Sequence, residues 1–99
     1  MTISKLYLVM WDLDEVVGIY TSEKAATQVI YRDIEANNYR PVFKYYEIKE
    51  YTPETFIEYV KRVEERERDD CWMGACISKQ LHHALNRFNK QYETNITVS

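Results

Sequence analysis

Two short apolar segments near the start of the chain predict a β-hairpin. Residues 5–12 (KLYLVMWD) are almost continuously apolar, which is typical of a strand that is buried on both faces at the centre of its sheet. Residues 16–20 (VVGIY) predict a second strand, in which Gly18 indicates a bulge or a close approach. The polar residues between the two segments predict the connecting turn.

The next apolar positions recur at the spacing of a helix. We predict a helix from about residue 22 to residues 37–38, because Ser22 supplies a capping hydroxyl and Glu23 places a negative charge in the first turn. Its apolar stripe consists of Ala26, Val29, Ile30 and Ile34. Residues 40–51 then predict a third strand, whose alternating charges suit the edge of a sheet and would discourage unwanted pairing.

Two helices are predicted in the second half of the chain. The first begins after Thr52, with Pro53 in its first position and Glu54 in its first turn, and it runs into the charged residues 64–70. The second extends to about Tyr92. Its apolar stripe consists of Ile77, Leu81, Ala84, Leu85, Phe88 and Tyr92.

The element order ββαβαα predicts a single α+β domain over residues 1–99. We expect a three-stranded antiparallel sheet (ββαβ) with its helix on one face, followed by two C-terminal helices. The apolar central strand also needs cover on its second face, which either the C-terminal helices or a second copy of the chain could supply. Because the sheet is short and its central strand is apolar on both sides, we expect a homodimer.

Composition and charge narrow the class of partner. The net charge of −3 argues against a protein that coats nucleic acid, since such proteins are usually basic. No apolar run approaches the length needed to cross a bilayer, and the N-terminal residues do not resemble a signal peptide. Two cysteines suggest no disulfide framework, so we expect a cytoplasmic protein that contacts no membrane and needs no cofactor.

One acidic motif resembles a catalytic motif. The segment WDLDEVV is similar to the first motif of haloacid-dehalogenase-type phosphotransferases, which implies Asp12 as nucleophile, Asp14 as general acid/base and Mg²⁺ between them. Those proteins are built on a longer, doubly wound parallel sheet, and the rest of their pattern does not follow here. We therefore expect Asp12 and Asp14 to form the hairpin turn, and we keep a Mg²⁺-dependent phosphotransferase as a third hypothesis.

A metal site is not predicted from the cysteines and histidines. Cys71 and Cys76 are separated by four residues and lack a matched second pair, unlike the usual zinc ligand sets. His82 and His83 are adjacent on a helix and point about 100° apart, so one of them at most could join a site.

Large apolar and aromatic side chains are the best candidates for partner binding. Trp72 and Met73 follow the charged segment at the joint between the two C-terminal helices, and both residue types are enriched at the centre of interfaces. The alternative is that they fill the core at this joint. Nine tyrosines are also present, and most of them fall in predicted strands or on helix faces, where they could simply fill half-buried positions. Of these we assign Tyr45 and Tyr51 to the binding surface.

The first half of the chain resembles small accessory proteins of phages and other mobile elements. The segment LYLVMWDLDEVVGIYTSEKAATQVI carries the likeness. The likeness implies no activity, but it favours an accessory protein of this kind, and such proteins often bind a host protein stoichiometrically. With the small size, the many tyrosines, the Trp72-Met73 pair and the absence of an assembled catalytic set, it leads to our first hypothesis: a non-enzymatic protein that inhibits a host or defence protein by binding it. The second is a protein that sequesters a nucleotide signal in a pocket between subunits, lined by Arg40, Lys44 and Tyr46.

Overall fold

The computed structural model describes residues 3–12, 15–36, 45–70 and 77–98, and residues 68–70 through their backbone only. Its elements are β1 (Leu6–Trp11), β2 (Glu15–Tyr20), α1 (Glu23–Ala36), β3 (Tyr46–Tyr51), α2 (Pro53–Asp70) and α3 (Ile77–Tyr92). The three strands form one antiparallel sheet. The predicted α+β class and element order are therefore confirmed.

The sheet has the order β2-β1-β3, so the most apolar strand is central, as predicted. β1 and β2 form the expected hairpin, and Asp12 enters the connection with a left-handed backbone (φ 53°). The register of this pair shifts between Val9 and Met10, because β2 contains one additional residue, Val17. Next to this bulge, the Tyr20 ring lies where a side chain at Gly18 would project, so both features expected of the glycine are present.

Alternate residues of β1 enter two separate cores. Leu6, Leu8 and Met10 point to the α2/α3 face and are completely or almost completely buried. The helices cover this face with Phe56, Val60, Val63, Leu81, Ala84, Leu85 and Phe88. Val9 points to the opposite face, the α1 face, which α1 covers with Ala26 and Ile30. Side chains of one strand thus join both layers of helices to the sheet.

The C-terminal helices provide the cover that the second face of the sheet requires. This finding removes the reason for which a homodimer is expected from the sequence, because both faces of β1 are buried within one chain. Dimerisation stays a prediction, and the two covered faces of the sheet give no reason for it.

Side-chain caps fix the starts of the first two helices near the predicted positions. The Ser22 hydroxyl accepts a hydrogen bond from the backbone of Ala25 (3.1 Å) at the start of α1. Thr52 and Thr55 cap α2 reciprocally: the Thr55 hydroxyl accepts from the Thr52 N–H (2.8 Å), and the Thr52 hydroxyl accepts from the Thr55 N–H (3.2 Å). The predicted helix end at residues 37–38 and the first part of the predicted third strand, residues 40–44, lie outside the described residues.

Replacing Phe88 by alanine tests the cover of the α2/α3 face. We expect the free energy of unfolding to fall by about 3–5 kcal/mol, because the ring is almost completely buried and its loss leaves a cavity. Asn86→Ala, at an exposed position of the same helix, should change it by less than about 0.5 kcal/mol. Urea denaturation measures both values. A loss for Phe88→Ala as small as that for Asn86→Ala would contradict the described packing.

Candidate binding surface

An aromatic cluster lies at the end of the sheet where β1 ends and β3 begins. The rings of Trp11 and Tyr45 meet edge to face, with centroids 6.3 Å apart and an interplanar angle of 61°. The backbone N–H of Asp12 donates to the carbonyl of Tyr45 (2.8 Å), which extends the β1–β3 pairing by one step. Tyr45 is therefore held by both its ring and its backbone.

Tyr46 fixes α1 to the sheet beneath this cluster. Its hydroxyl donates to the carboxylate of Asp33 on α1, and the residue is 8% exposed. The sequence assigns Tyr46 to a ligand pocket with Arg40 and Lys44. The structure places its ring in the core of the α1 face, and the two basic residues lie outside the described residues.

Two tyrosines are the large hydrophobic residues that the described part of the chain leaves exposed: Tyr31 at 57% and Tyr45 at 46%. Tyr31 lies on α1 one turn before Ile34, which packs into the core of the α1 face. We group Trp11, Tyr31 and Tyr45 as the aromatic surface, because Trp11 packs against the core of the α1 face, Tyr45 contacts Trp11 and Tyr31 lies on α1. Its side chains combine a broad apolar area with few rotatable bonds, as interface residues commonly do.

Two other tyrosines, Tyr7 and Tyr20, pack against the core of the α1 face. The Tyr7 hydroxyl donates to the carboxylate of Glu50 on β3 (3.1 Å), and this hydrogen bond raises the pKa of Tyr7. Tyr20 is half-buried, and its burial raises its pKa although Arg87 acts in the opposite direction. Both phenols therefore stay neutral at physiological pH.

Tyr51 belongs to a different site from Tyr45. It lies on the α2/α3 face, where its ring stacks on Tyr59 at 5.2 Å and meets Phe56 edge to face at 5.8 Å. Burial, with the neighbouring Tyr59, raises the pKa of Tyr51 to about 12. The structure therefore does not bring together the two tyrosines that the sequence assigns to one binding surface.

A polar groove runs between β2 and α3 on the other side of the sheet. It consists of two adjoining depressions of about 160 and 440 Å³, and Arg87 lines both. Its polar lining is made by Tyr20, Gln80, His83, Asn86, Arg87 and Gln91. The Gln80 side chain accepts a hydrogen bond from the outward N–H of Val16 (2.8 Å), so α3 already occupies part of the β2 edge. Among the residues that the structure describes, none that lines either depression is acidic, whereas the whole chain carries a net charge of −3.

The catalytic and metal-binding alternatives find little support in the geometry. Asp12 is an exposed turn residue after an antiparallel strand, and the phosphotransferase motif requires a parallel sheet. Asp14, Cys71 and Cys76 lie outside the described residues. His82 contacts the carboxylate of Glu64 on α2, and no cluster of three or more metal-ligating side chains occurs among the residues with described positions.

Sequence reasoning missed Trp11, Tyr31 and the groove residues. A signal for Tyr31 exists, because it is a large ring outside the stripe formed by Ala26, Ile30 and Ile34. A signal for the groove exists in residues 80, 83, 87 and 91, whose spacing of three or four places them along one side of α3. Which strand would lie beside them is not visible from that spacing.

Comparisons with family models, with curated proteins and with solved structures find no match to this chain. Within the described ranges, no helix has the length and apolar character needed to cross a membrane.

The joint that contains Trp72 and Met73 lies outside the described residues, but the ends of the helices that flank it are tied together. The carboxylate of Glu67 on α2 accepts hydrogen bonds from the backbone N–H groups of Ile77 and Ser78, both at 2.9 Å. It thus caps the start of α3 from the neighbouring helix. Burial alone would raise the pKa of Glu67, but these hydrogen bonds outweigh it and the pKa is lowered.

Glu67→Gln tests this cap. We expect a loss of about 1 kcal/mol in the free energy of unfolding at pH 7, because the amide has one acceptor oxygen for two donors and no charge. The folded-state pKa of Glu67 is lowered, so its stabilisation is complete above the ordinary glutamate pKa and is lost as the pH falls through the folded-state value. The difference between wild type and variant should therefore shrink in acid.

Urea denaturation over a pH series measures this difference, with Glu65→Gln, an exposed position on the same helix, as the control. A constant difference between the Glu67 variant and wild type at every pH would contradict the role of the charge.

Proposed function

We propose that this chain is a non-enzymatic protein-binding domain that acts stoichiometrically through its aromatic surface. The observation that supports the proposal is the exposure of Tyr31 and Tyr45, at 57% and 46%, with Tyr45 in ring contact with Trp11, which packs against the core of the α1 face. Tyrosine and tryptophan are among the residues that contribute most to protein–protein affinity when a partner buries them.

The aromatic surface is arranged before a partner binds. The Tyr45 ring packs on Trp11, and the Tyr45 carbonyl accepts a hydrogen bond from the backbone N–H of Asp12. The hydrogen bond from Tyr46 to Asp33 ties α1 to the start of β3, next to Tyr45. A surface that is already ordered loses little conformational entropy on association, so more of its contact energy contributes to affinity.

The class of partner follows from the resemblance of the first half of the chain to accessory proteins of phages and mobile elements. We propose a host or defence protein in the cytoplasm as the partner, with inhibition as the result of binding. Trp72 and Met73, which the sequence also assigns to partner binding, lie outside the described residues. The negative net charge fits a protein partner better than nucleic acid.

A double variant, Tyr31→Ala/Tyr45→Ala, tests the aromatic surface. Tagged wild type should capture one host protein in near-equimolar amount from host-cell lysate, and the variant should capture at least about tenfold less. Quantitative mass spectrometry compares the two. Lys61→Ala, at an exposed position on α2, should capture the same amount as wild type.

Circular dichroism and a urea titration must show that the double variant is folded. If the folded Tyr31→Ala/Tyr45→Ala variant captures as much host protein as wild type, the aromatic surface is not the binding surface.

A second candidate function is the sequestration of a small anionic ligand such as a nucleotide. The specific observation is the groove between β2 and α3, whose lining contains Arg87 and His83 and, within the described ranges, no acidic residue. Its larger depression, about 440 Å³, falls within the size of common ligand sites, about 300–1,000 Å³. This location differs from the pocket at Arg40, Lys44 and Tyr46 that the sequence suggests.

Thermal unfolding with a panel of cyclic and linear nucleotides tests this candidate. A ligand that binds the folded chain should raise the Tm by more than about 10 °C at a hundredfold excess over its Kd. Arg87→Gln should abolish most of that shift without lowering the Tm of the free protein, since Arg87 is exposed. No shift with any nucleotide, or an equal shift in both proteins, would remove the groove as a nucleotide site.

A further inference from the structure

The two edges of the sheet differ in how they are covered. At the β2 edge, α3 packs along the strand and the Gln80 side chain accepts the outward N–H of Val16. At the β3 edge, no residue with a described position hydrogen-bonds to the outward backbone of Ile48. β3 is therefore the edge at which another strand could add.

The Asp12–Tyr45 hydrogen bond shows which backbone groups of β3 point outward. In an antiparallel ladder, hydrogen-bonded and non-hydrogen-bonded residue pairs alternate. Because Asp12 bonds to Tyr45, the pairs Met10–Glu47 and Leu8–Lys49 bond in the same way, and Ile48 lies between them. The N–H and carbonyl groups of Ile48 therefore face away from β1.

The side chains along this edge are complementary to themselves. Glu47 and Lys49 flank Ile48 and point to the α2/α3 face, where the Lys49 ammonium lies 5.8 Å from the centroid of the Tyr59 ring. In a two-fold antiparallel pair centred on Ile48, Glu47 of each copy stands directly opposite Lys49 of the other. A parallel, in-register pair would instead place Glu47 opposite Glu47 and Lys49 opposite Lys49. The alternating charges of this edge therefore favour the antiparallel pair.

We propose that two copies of this chain pair antiparallel through the outer edge of β3, with Ile48 at the two-fold axis and reciprocal Glu47–Lys49 contacts between the copies. The outward N–H and carbonyl of Ile48 would then bond to the same groups of the second copy. The result is a continuous six-stranded sheet with the two α1 helices on one face. This proposal does not rest on the proposed function, because it is argued from the edge of the sheet. In this register Tyr45 of each copy stands opposite Tyr51 of the other, so the paired edge adjoins the aromatic surface at Tyr45, whereas Glu47 and Lys49 lie outside that surface.

Charge reversal tests the pairing. Wild type should be a dimer by size-exclusion chromatography with light scattering, and sedimentation velocity should give its Kd. Glu47→Lys and Lys49→Glu should each raise the dimer Kd about 10- to 100-fold, because each reversal turns two symmetry-related attractive pairs repulsive. The double variant, Glu47→Lys/Lys49→Glu, restores opposite charges in both pairs and should bring the Kd back to within about threefold of wild type.

Glu15→Lys is the matched control, since it makes the same change in net charge at an exposed position of the other edge strand. It should leave the dimer Kd unchanged. A wild-type monomer at about 100 µM, a Kd as sensitive to Glu15→Lys as to Glu47→Lys, or failure of the double variant to restore pairing would each overturn the proposal. Restoration by the double variant also shows that the single variants had not merely lost their fold.

Discussion

The need to bury β1 on two sides is the constraint on which the rest of this structure depends. The strand is apolar at nearly every position, so its alternating side chains project large hydrophobic groups from both faces of a sheet that is only three strands wide. α1 covers one face and the α2–α3 pair covers the other. A chain of 99 residues has a small core, so all three of its described helices pack against the sheet and bury the side chains of this one strand.

The two faces of the sheet are covered unequally, by one helix on the α1 face and by two helices on the α2/α3 face, and this difference explains where a binding surface can arise. α2 and α3 together bury seven large or small apolar side chains against their face, whereas α1 buries Ala26 and Ile30 alone. A single helix with two small buried contacts does not cover the whole α1 face. At the end of the sheet where β1 ends and β3 begins, the rings of Trp11 and Tyr45 lie beside it. Trp11 thereby packs against the core of the α1 face, while Tyr45, in contact with it, stays 46% exposed.

Sequence patterns predict the parts of this fold that depend on local periodicity. The continuous apolar run identifies the central strand, the Thr52-Pro53-Glu54 start identifies α2, and the stripe of α3 identifies its buried side. Periodicity fails for the tyrosines. Tyr45 and Tyr51 are six residues apart, so in one continuous strand their side chains would lie on the same face of the sheet. β3 instead begins at Tyr46, and the Tyr45 ring packs on Trp11 at the end of the sheet. A contact between residues far apart in sequence decides the site, and no local pattern encodes it.

The difference between the two sheet edges also bears on how the chain would assemble. A sheet with two open edges can add copies at both and grow without limit, whereas a sheet with one open edge can only pair once through a two-fold axis. Here the β2 edge contains a bulge, is flanked by α3 and has its outward Val16 N–H taken by Gln80. Pairing at β3 would use the remaining edge and leave none for a third copy. The α3 helix that buries one face of β1 thereby also makes any assembly through this sheet a closed one.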